Sequence, residues 1–207
     1  MNITTQQHEA GSFAARDAEP MRLAVIVGSN RHGRFGPVIV DWFLEHTAGR
    51  TDFTTEVVDV GEVDLPTSFG PPPVPDGAAA VAASLAAADA FVVVTPEYNH
   101  SYPAALKNLI DWHGEQWHAK PVAFVSYGGV SGGLRAVEHL RQVFAELHAT
   151  TLRDTVSFAN AHSYFDAEGR HRDSRHCDAA AKGLLDRLAW WGQALREARA
   201  VRPYEAA

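Results

Sequence analysis

Residues 91–101 read FVVVTPEYNHS, a continuous apolar run followed at once by a polar loop. Residues 23–36 repeat the arrangement as LAVIVGSNRHGRFG, and a segment with helical spacing follows each loop. Apolar runs of this length, without alternation, predict parallel strands that are buried on both faces. In such sheets ligands bind beyond the carboxyl ends of the strands, where the strand order reverses. The two loops therefore predict one binding site.

The rest of the chain continues the alternation of strands and helices. We predict strands at 22–27, 53–60, 91–94, 121–126 and 150–158, and helices at 35–47, 78–88, 104–112, 134–147 and 179–200. This order predicts an α/β, flavodoxin-like three-layer sandwich, with a five-stranded parallel sheet in the order 2-1-3-4-5 and helices on both faces. Residues 1–20 are polar and are expected to form a disordered arm, and 21–207 a single domain.

Composition excludes several classes of protein. The formal net charge is −7, whereas a nucleic-acid surface needs a net or clustered positive field, so no nucleic-acid partner is expected. No apolar run approaches the roughly 18 residues of a membrane helix, and no membrane partner is expected. Cys177 is the only cysteine, which excludes an internal disulfide and fits a reducing compartment. We therefore expect a cytoplasmic protein.

The loop after the first strand carries groups that suit a phosphate. Ser29 can donate through its hydroxyl, and Arg31 and Arg34 can form charge-assisted, forked hydrogen bonds. A helix start follows, where backbone N–H groups attract anions. The loop is neither a P-loop nor a GxGxxG motif. The alternative is a solvated turn with two surface arginines.

The loop after the third strand suits a flat ligand. Asn99 tolerates unusual backbone angles, Ser101 can cap the next helix, and backbone amides of the loop can face the crevice. Tyr98 can pack beside a ring. The two loops together make a flavin site the leading hypothesis. We therefore interpret Glu97 as a hydrogen-bond acceptor for loop amides rather than as a catalytic acid, because hydride transfer through a flavin needs no acid from the protein.

Three motifs in this order resemble one family. PEYN at 96–99, continued by LKNLIDW at 106–112, resembles the signature of the NADPH-dependent FMN reductases. Gly28-Ser29 with Arg31 and Arg34 is similar to that family's phosphate loop. SYGG at 126–129, with GGLR at 132–135, is similar to its third loop. The resemblance covers about residues 22–158 and implies a flavodoxin-like fold with bound FMN.

The resemblance also implies which residues hold the cofactor. They are Ser29, Arg31, Arg34, Phe35 and Gly36 around the phosphate, Pro96, Glu97, Tyr98 and Asn99 facing the isoalloxazine and ribityl chain, and Ser126, Tyr127, Gly128 and Gly129 on the other side. It further implies transfer of hydride from NADPH (or NADH) through FMN to a small acceptor such as a quinone, azo compound or free flavin. A homodimer or homotetramer is implied, and we expect no catalytic titrating side chain and no metal.

Two other interpretations remain open. GVSGG at 129–133 matches the G-x-S-x-G nucleophile elbow, so Ser131 could serve a serine hydrolase with an acid at 154 or 166 and a histidine at 171 or 176. The small chain and the lack of an HGGG-type segment count against it. The second alternative is a flavodoxin-type electron carrier, which would bind FMN without an open face for a nicotinamide.

Overall fold

The computed structural model describes residues 19–68, 70, 73–172 and 175–205. Its centre is a five-stranded parallel sheet in the order β2-β1-β3-β4-β5. The predicted fold class and strand order are therefore confirmed. The reversal of strand order lies between β1 and β3, where the two motif-bearing loops leave the sheet.

The helices and strands alternate along the chain as predicted. Their bounds are β1 Met21–Val27, α1 Gly36–Ala48, β2 Phe53–Asp59, α2 Asp76–Ala87, β3 Ala90–Pro96, α3 Ala104–Asp111, β4 Pro121–Gly128, α4 Leu134–Glu146, β5 Thr150–Ala159 and α5 Arg175–Val201. Single 3-10 turns at Glu115–Trp117 and Ala161–Ser163 were not predicted.

Two hydrophobic cores lie on opposite faces of the sheet. Helices α1 and α5 cover one face, where Phe43 and Leu188 pack against alternate residues of β1, β3 and β4. Helices α2, α3 and α4 cover the other face, around Phe91 and Trp117. Because every residue of β3 is buried, its apolar run needs no alternation, which is why the sequence pattern identified it.

The strand ends differ from the predictions in one respect that matters for the site. Strand β3 runs to Pro96 and β4 to Gly128, each two residues beyond the predicted end, and Pro96 is paired with Tyr127. Residues expected in loops are thus fixed by the sheet. Helix α5 begins at Arg175, four residues before the predicted start.

The predicted disordered arm falls at residues 1–20, of which 1–18 lie outside the described residues. Within the described part of the chain, no helix has the length and apolar character needed to cross a membrane.

Candidate functional site

A cleft of about 730 Å³ opens at the carboxyl edge of the sheet, a size typical of a ligand pocket. Four loops form it, and they follow β1, β3, β4 and β5. Its walls are Arg31, His32, Gly33, Arg34, Phe35, Pro96, Glu97, Tyr98, Tyr127, Gly128, Gly129, Asn160, Ala161, His162 and Ser163. The structure therefore brings together all three predicted loops in one concave site.

The loop after β1 holds its two arginines differently. The Arg34 guanidinium forms a two-pronged ion pair with Asp59 at the end of β2, with Nη2 2.6 Å from Oδ2. Its Nη1 also donates to the Ser29 carbonyl at 2.5 Å. Arg31 is exposed, and its guanidinium lies over the Tyr98 ring, 5.7 Å from the centroid. The pairing with Asp59 was not foreseen from the sequence.

The loop after β3 makes a tight reversal. Tyr98 and Ser101 exchange two backbone hydrogen bonds, of 2.8 and 3.1 Å. Asn99 and His100 between them have φ values of 48° and 72°, as in the type I′ turn that asparagine favours. The expected backbone freedom of Asn99 is confirmed. The expected helix cap is wrong, because the Ser101 hydroxyl pairs with Nδ1 of His139 at 3.0 Å and Pro103 precedes α3.

Glu97 caps a helix from outside it. Helix α4 begins after Gly133, which has no side chain to satisfy the first amides of the helix. The Glu97 carboxylate accepts a hydrogen bond from the Arg135 backbone at 3.2 Å and from its guanidinium at 2.8 Å. Burial raises the pKa of Glu97, but the hydrogen bonds from Ser131 and Arg135 outweigh it and hold the pKa below its ordinary value. Glu97 is thus a hydrogen-bond acceptor, but the amide that it accepts from belongs to the first turn of α4 rather than to a loop.

Two amides of the loop after β3 are satisfied inside the protein. The Glu97 N–H donates to the Tyr127 carbonyl at 3.2 Å, and the Tyr98 N–H donates to Ser101. These two groups hold the loop in shape rather than pointing free donors into the cleft.

Glycines shape the loop after β4 for two different reasons. At Gly133, with φ of 85°, an added Cβ would lie 2.9 Å from the Tyr127 backbone nitrogen, so a side chain collides with β4. At Gly129 an added Cβ meets no atom within 4 Å, although the residue lines the cleft. Gly133 therefore serves packing, and Gly129 leaves cleft space open.

Aromatic residues form the inner wall. Phe35 and Tyr127 have ring centroids 6.4 Å apart, and both belong to or pack against the core beneath α1 and α5. Burial raises the pKa of Tyr127 well above its ordinary value, so its hydroxyl stays protonated at neutral pH. An added Cβ at Gly36 would lie 3.0 Å from that hydroxyl, which explains the glycine at the start of α1.

The segment after β5, residues 160–163, forms a fourth wall of the cleft that was not predicted from the sequence. Asn160 adopts φ of 52° directly after β5 and donates its N–H to the Gly129 carbonyl at 2.8 Å. The following turn brings His162 against Phe35, with ring centroids 4.4 Å apart. The available signal was position, because a polar segment directly after the last strand of a parallel sheet must leave the same edge as the other loops.

Four predicted site residues lie outside the cleft lining among the described residues. Ser29 is fully buried, and its hydroxyl lies 2.7 Å from that of Tyr98. Ser126 is also fully buried, and its hydroxyl donates to the Gly132 carbonyl at 2.8 Å. Gly36 packs beneath Tyr127, and Asn99 forms the exposed tip of its turn. These residues shape the loops that line the cleft.

The two acids considered for a serine hydrolase are both paired with arginines. Asp154 pairs with Arg187 at 3.2 Å, and Asp166 pairs with Arg170 at 2.8 Å. His171 lines a different cavity, one that Ser131 does not line. In the described ranges no cluster of three or more potential metal ligands occurs.

The cleft has several features that could hold a flavin mononucleotide. An exposed arginine lies beside a helix start at one end, aromatic rings form the walls, and Gly33 and Gly129 leave the space beside the backbone open. Fold and site together define a flavodoxin-like protein with a concave cleft at the switch point of its sheet.

Comparison with known proteins agrees with this class. The family model of the NADPH-dependent FMN reductases matches residues 21–163, which include every residue of the cleft. The chain belongs to this family, and it is an FMN-dependent NAD(P)H oxidoreductase. The predicted family, activity, cofactor and co-substrate are confirmed.

The relatives and structural neighbours are diverse. A 2-hydroxy-1,4-benzoquinone reductase of a Burkholderia species is 31% identical over 83% of this chain and 96% of that protein. An NAD(P)H-dependent FMN reductase of Schizosaccharomyces pombe is 38% identical over 54% of this chain and 60% of that protein. The flavoenzyme NAD(P)H:(acceptor) oxidoreductase of Paracoccus denitrificans has a similar fold, with a TM-score of 0.69 at 22% identity, over 84% of this chain and 97% of that one.

Proposed function

We propose that this protein is an NAD(P)H:quinone oxidoreductase in which FMN occupies the cleft between the loops after β1, β3 and β4. The observation that carries the proposal is the convergence of an exposed arginine, aromatic walls and open glycine positions in one cleft at the switch point of the sheet. The Burkholderia relative, a 2-hydroxy-1,4-benzoquinone reductase, supports a quinone as acceptor.

The roles of the site residues follow from their contacts. Arg31 is assigned to the phosphate, because it is exposed at the start of the cleft. Phe35, Pro96, Tyr98, Tyr127, Gly128 and Gly129 are assigned to the walls around the ring and ribityl chain. Ser29, Gly36, Asn99 and Ser126 support those walls from outside the lining, and Arg34 and Glu97 hold the loops through ion pairs.

The chain contributes position and shielding rather than proton chemistry. FMN, when bound, supplies the redox chemistry that passes two electrons from the nicotinamide to the acceptor. Tyr127 stays protonated because burial raises its pKa, and Glu97 stays ionised because it is bonded to Arg135. Neither group is poised to exchange a proton near neutral pH, so we assign neither a catalytic role.

The test is a spectrum followed by turnover. Purified protein is incubated with FMN, desalted and scanned, and retained peaks near about 375 and 450 nm are expected to bleach with NADPH and return with 1,4-benzoquinone. A colourless protein after desalting contradicts the FMN site. Retained FMN that NADPH cannot bleach favours the electron carrier.

We also propose that the protein is a homodimer or homotetramer. Trp190 and Trp191 support this, because their side chains are 65% and 38% exposed on α5, and exposed aromatic patches mark interaction surfaces. Light scattering measures the mass of the holoprotein, and a monomer at micromolar concentration contradicts the proposal.

A cytoplasmic location and a single domain over 21–207 remain proposals as well. The lone cysteine, which is buried, supports a reducing compartment, and the single sheet supports one domain. Fractionation of cells and limited proteolysis test them.

A further inference from the structure

We propose that Asp59 and Gly61, which lie at and after the end of β2 and outside the cleft lining of the described residues, are positioning residues of the cofactor site. They fix Arg34 so that it shapes the loop after β1, while Arg31 alone of the two loop arginines carries charge toward the FMN phosphate. The inference rests on the proposed FMN site and deepens it.

The first support is the geometry of the Arg34 guanidinium. Both of its terminal nitrogens are bonded to the Asp59 carboxylate, in the parallel fork that makes such pairs specific. One of them also donates to the Ser29 carbonyl at 2.5 Å. Arg34 therefore connects the end of β2 to the backbone of the loop that precedes α1.

The second support is the burial of this pair. The side chains of Arg34 and Asp59 are only 17% and 13% exposed, so each ion depends on the other for compensation. The pair is neutral as a unit, and it contributes little net field to the cleft. Arg31 is exposed and lies over Tyr98, which leaves its charge available to an anion.

The third support is the fit of the chain around the guanidinium. An added Cβ at Gly61 would lie 2.6 Å from Cζ of Arg34, closer than Cβ atoms approach other atoms in proteins. The Gly61 N–H also donates to Oδ1 of Asp59 at 2.8 Å, so the turn after β2 holds the carboxylate. The absence of a side chain at Gly61 leaves space for the Arg34 guanidinium, and the Asp59 carboxylate binds it there.

The two possible roles of Arg34 predict different effects of Asp59→Asn on the affinity for FMN. If Arg34 is held to shape the loop, Asp59→Asn removes the fork and loosens the site despite the removal of a negative charge. If Arg34 binds the phosphate directly, Asp59→Asn frees the guanidinium and removes an anion that repels the phosphate. Binding then strengthens or stays the same.

The experiment measures the dissociation constants of FMN and riboflavin for the apoprotein by quenching of flavin fluorescence. We expect Asp59→Asn to raise the Kd for FMN about tenfold, which corresponds to about 1.4 kcal/mol. Asp64→Asn is the matched control, because Asp64 is an exposed carboxylate just after the same turn and the change removes the same charge. An unchanged or lower Kd for FMN in Asp59→Asn overturns the proposal.

A second variant keeps both charges. Gly61→Ala displaces the guanidinium, the flexible end of a side chain, and is expected to weaken FMN binding by a similar factor. Gly49→Ala is its control, because an added Cβ there meets no atom within 4 Å. Normal FMN affinity in Gly61→Ala contradicts the role of Gly61.

A third comparison separates Arg31 from Arg34. Arg31→Ala should lower the preference for FMN over riboflavin, since riboflavin lacks the phosphate, and Arg31→Lys should restore part of it because a point charge still serves. Arg34→Ala should weaken FMN binding, and Arg34→Lys should not restore it, because an ammonium cannot form the two-pronged pair with Asp59. Rescue by Arg34→Lys overturns the positioning role, whereas failure of the wild-type apoprotein to bind FMN contradicts the proposed function itself.

Discussion

The Tyr98 hydroxyl lies 2.7 Å from the Ser29 hydroxyl, and this hydrogen bond joins the loop after β3 to the loop after β1. The same Ser29 oxygen accepts the Arg31 backbone N–H at 3.3 Å. Because Ser29 is fully buried, the bond cannot be replaced by bulk water without opening the site. One serine therefore sets the spacing between the two loops on which FMN is proposed to rest.

Removal of either hydroxyl should have the same effect as removal of both. We expect Tyr98→Phe and Ser29→Ala each to lower the free energy of unfolding by about 1 kcal/mol, and the double variant to lower it by little more than the worse single variant. Urea denaturation of the apoproteins measures this. Additive losses in the double variant would show that the bond does not couple the loops.

The Glu97 cap should be worth a measurable part of the stability. Glu97→Gln keeps the shape of the side chain but removes the charge that faces Arg135 and the start of α4, and we expect a loss of about 1–2 kcal/mol. Glu138→Gln is the control, since its carboxylate is 72% exposed in a surface pair with Arg141. Equal losses in the two variants would contradict the capping role.

The stabilisation from Glu97 should disappear in acid. Its pKa is lowered in the folded protein, so the unfolded chain binds the proton more readily and protonation favours unfolding. The difference between wild type and Glu97→Gln is expected to be constant above the unfolded pKa of about 4.3 and to shrink as the pH falls below it. Urea midpoints at pH 7, 5 and 3.5 measure this difference in stability. A difference that grows as the pH falls contradicts a lowered pKa of Glu97 in the folded protein.

Two glycines of the third loop should respond oppositely to alanine. Gly133→Ala forces a positive φ and a collision with β4, and we expect a loss of more than about 2 kcal/mol. Gly129→Ala should change stability by less than about 0.5 kcal/mol and yet weaken FMN binding, because its Cβ takes up cleft space. Calorimetry with flavin titration compares them, and tight FMN binding by Gly129→Ala would place the ring elsewhere.

The stability of the protein should increase with pH in mild alkali, because the pKa of Lys120 is lowered in the folded state. Burial and the nearby Arg199 lower the pKa of Lys120 to about 8, against a partial opposing effect of Asp89. The unfolded chain, with a lysine pKa of about 10.4, binds more protons than the folded one between these values, so stability should rise with pH from about 8 to 10.

Lys120→Met tests that slope, although it also removes two hydrogen bonds to the end of α2, from the ammonium to the carbonyls of Leu85 and Ala86. The readout is therefore the change of unfolding free energy between pH 7.5 and 9.5 and not its absolute value. Lys182→Met, at an exposed position on α5, should keep the wild-type slope. The same slope in Lys120→Met and wild type contradicts the assignment.

The three central strands β1, β3 and β4 could be predicted from the sequence because each contains a buried, nearly continuous apolar run. The spacing of Phe91 to Val94 and Leu23 to Val27 is set by burial on both faces, a local pattern that a single chain displays. The ends of β3 and β4 were misplaced because Pro96 and Tyr127 pair across strands far apart in sequence. Propensity at one position carries no record of such a partner.

The site was predictable as a set of loops but not as a set of contacts. Asn99 indicated a turn after β3, because asparagine tolerates positive φ. Arg34 gave no sign that its partner is Asp59, 25 residues later, and Asn160 gave none of its bond to Gly129. Ion pairs and closing turns of this kind are fixed by tertiary structure. Residue type alone therefore does not distinguish an arginine that binds a phosphate from one that holds a loop in place.

Phe35 and Tyr127 belong to the cleft wall and also to the core beneath α1 and α5. A cofactor in that cleft would cover the edge of the core itself, and ligand that binds the native state at 100 times its Kd adds about 2.7 kcal/mol to stability. Without the cofactor the protein would be less stable by that amount, and proteases, which act on the fraction of molecules that open, would degrade it faster.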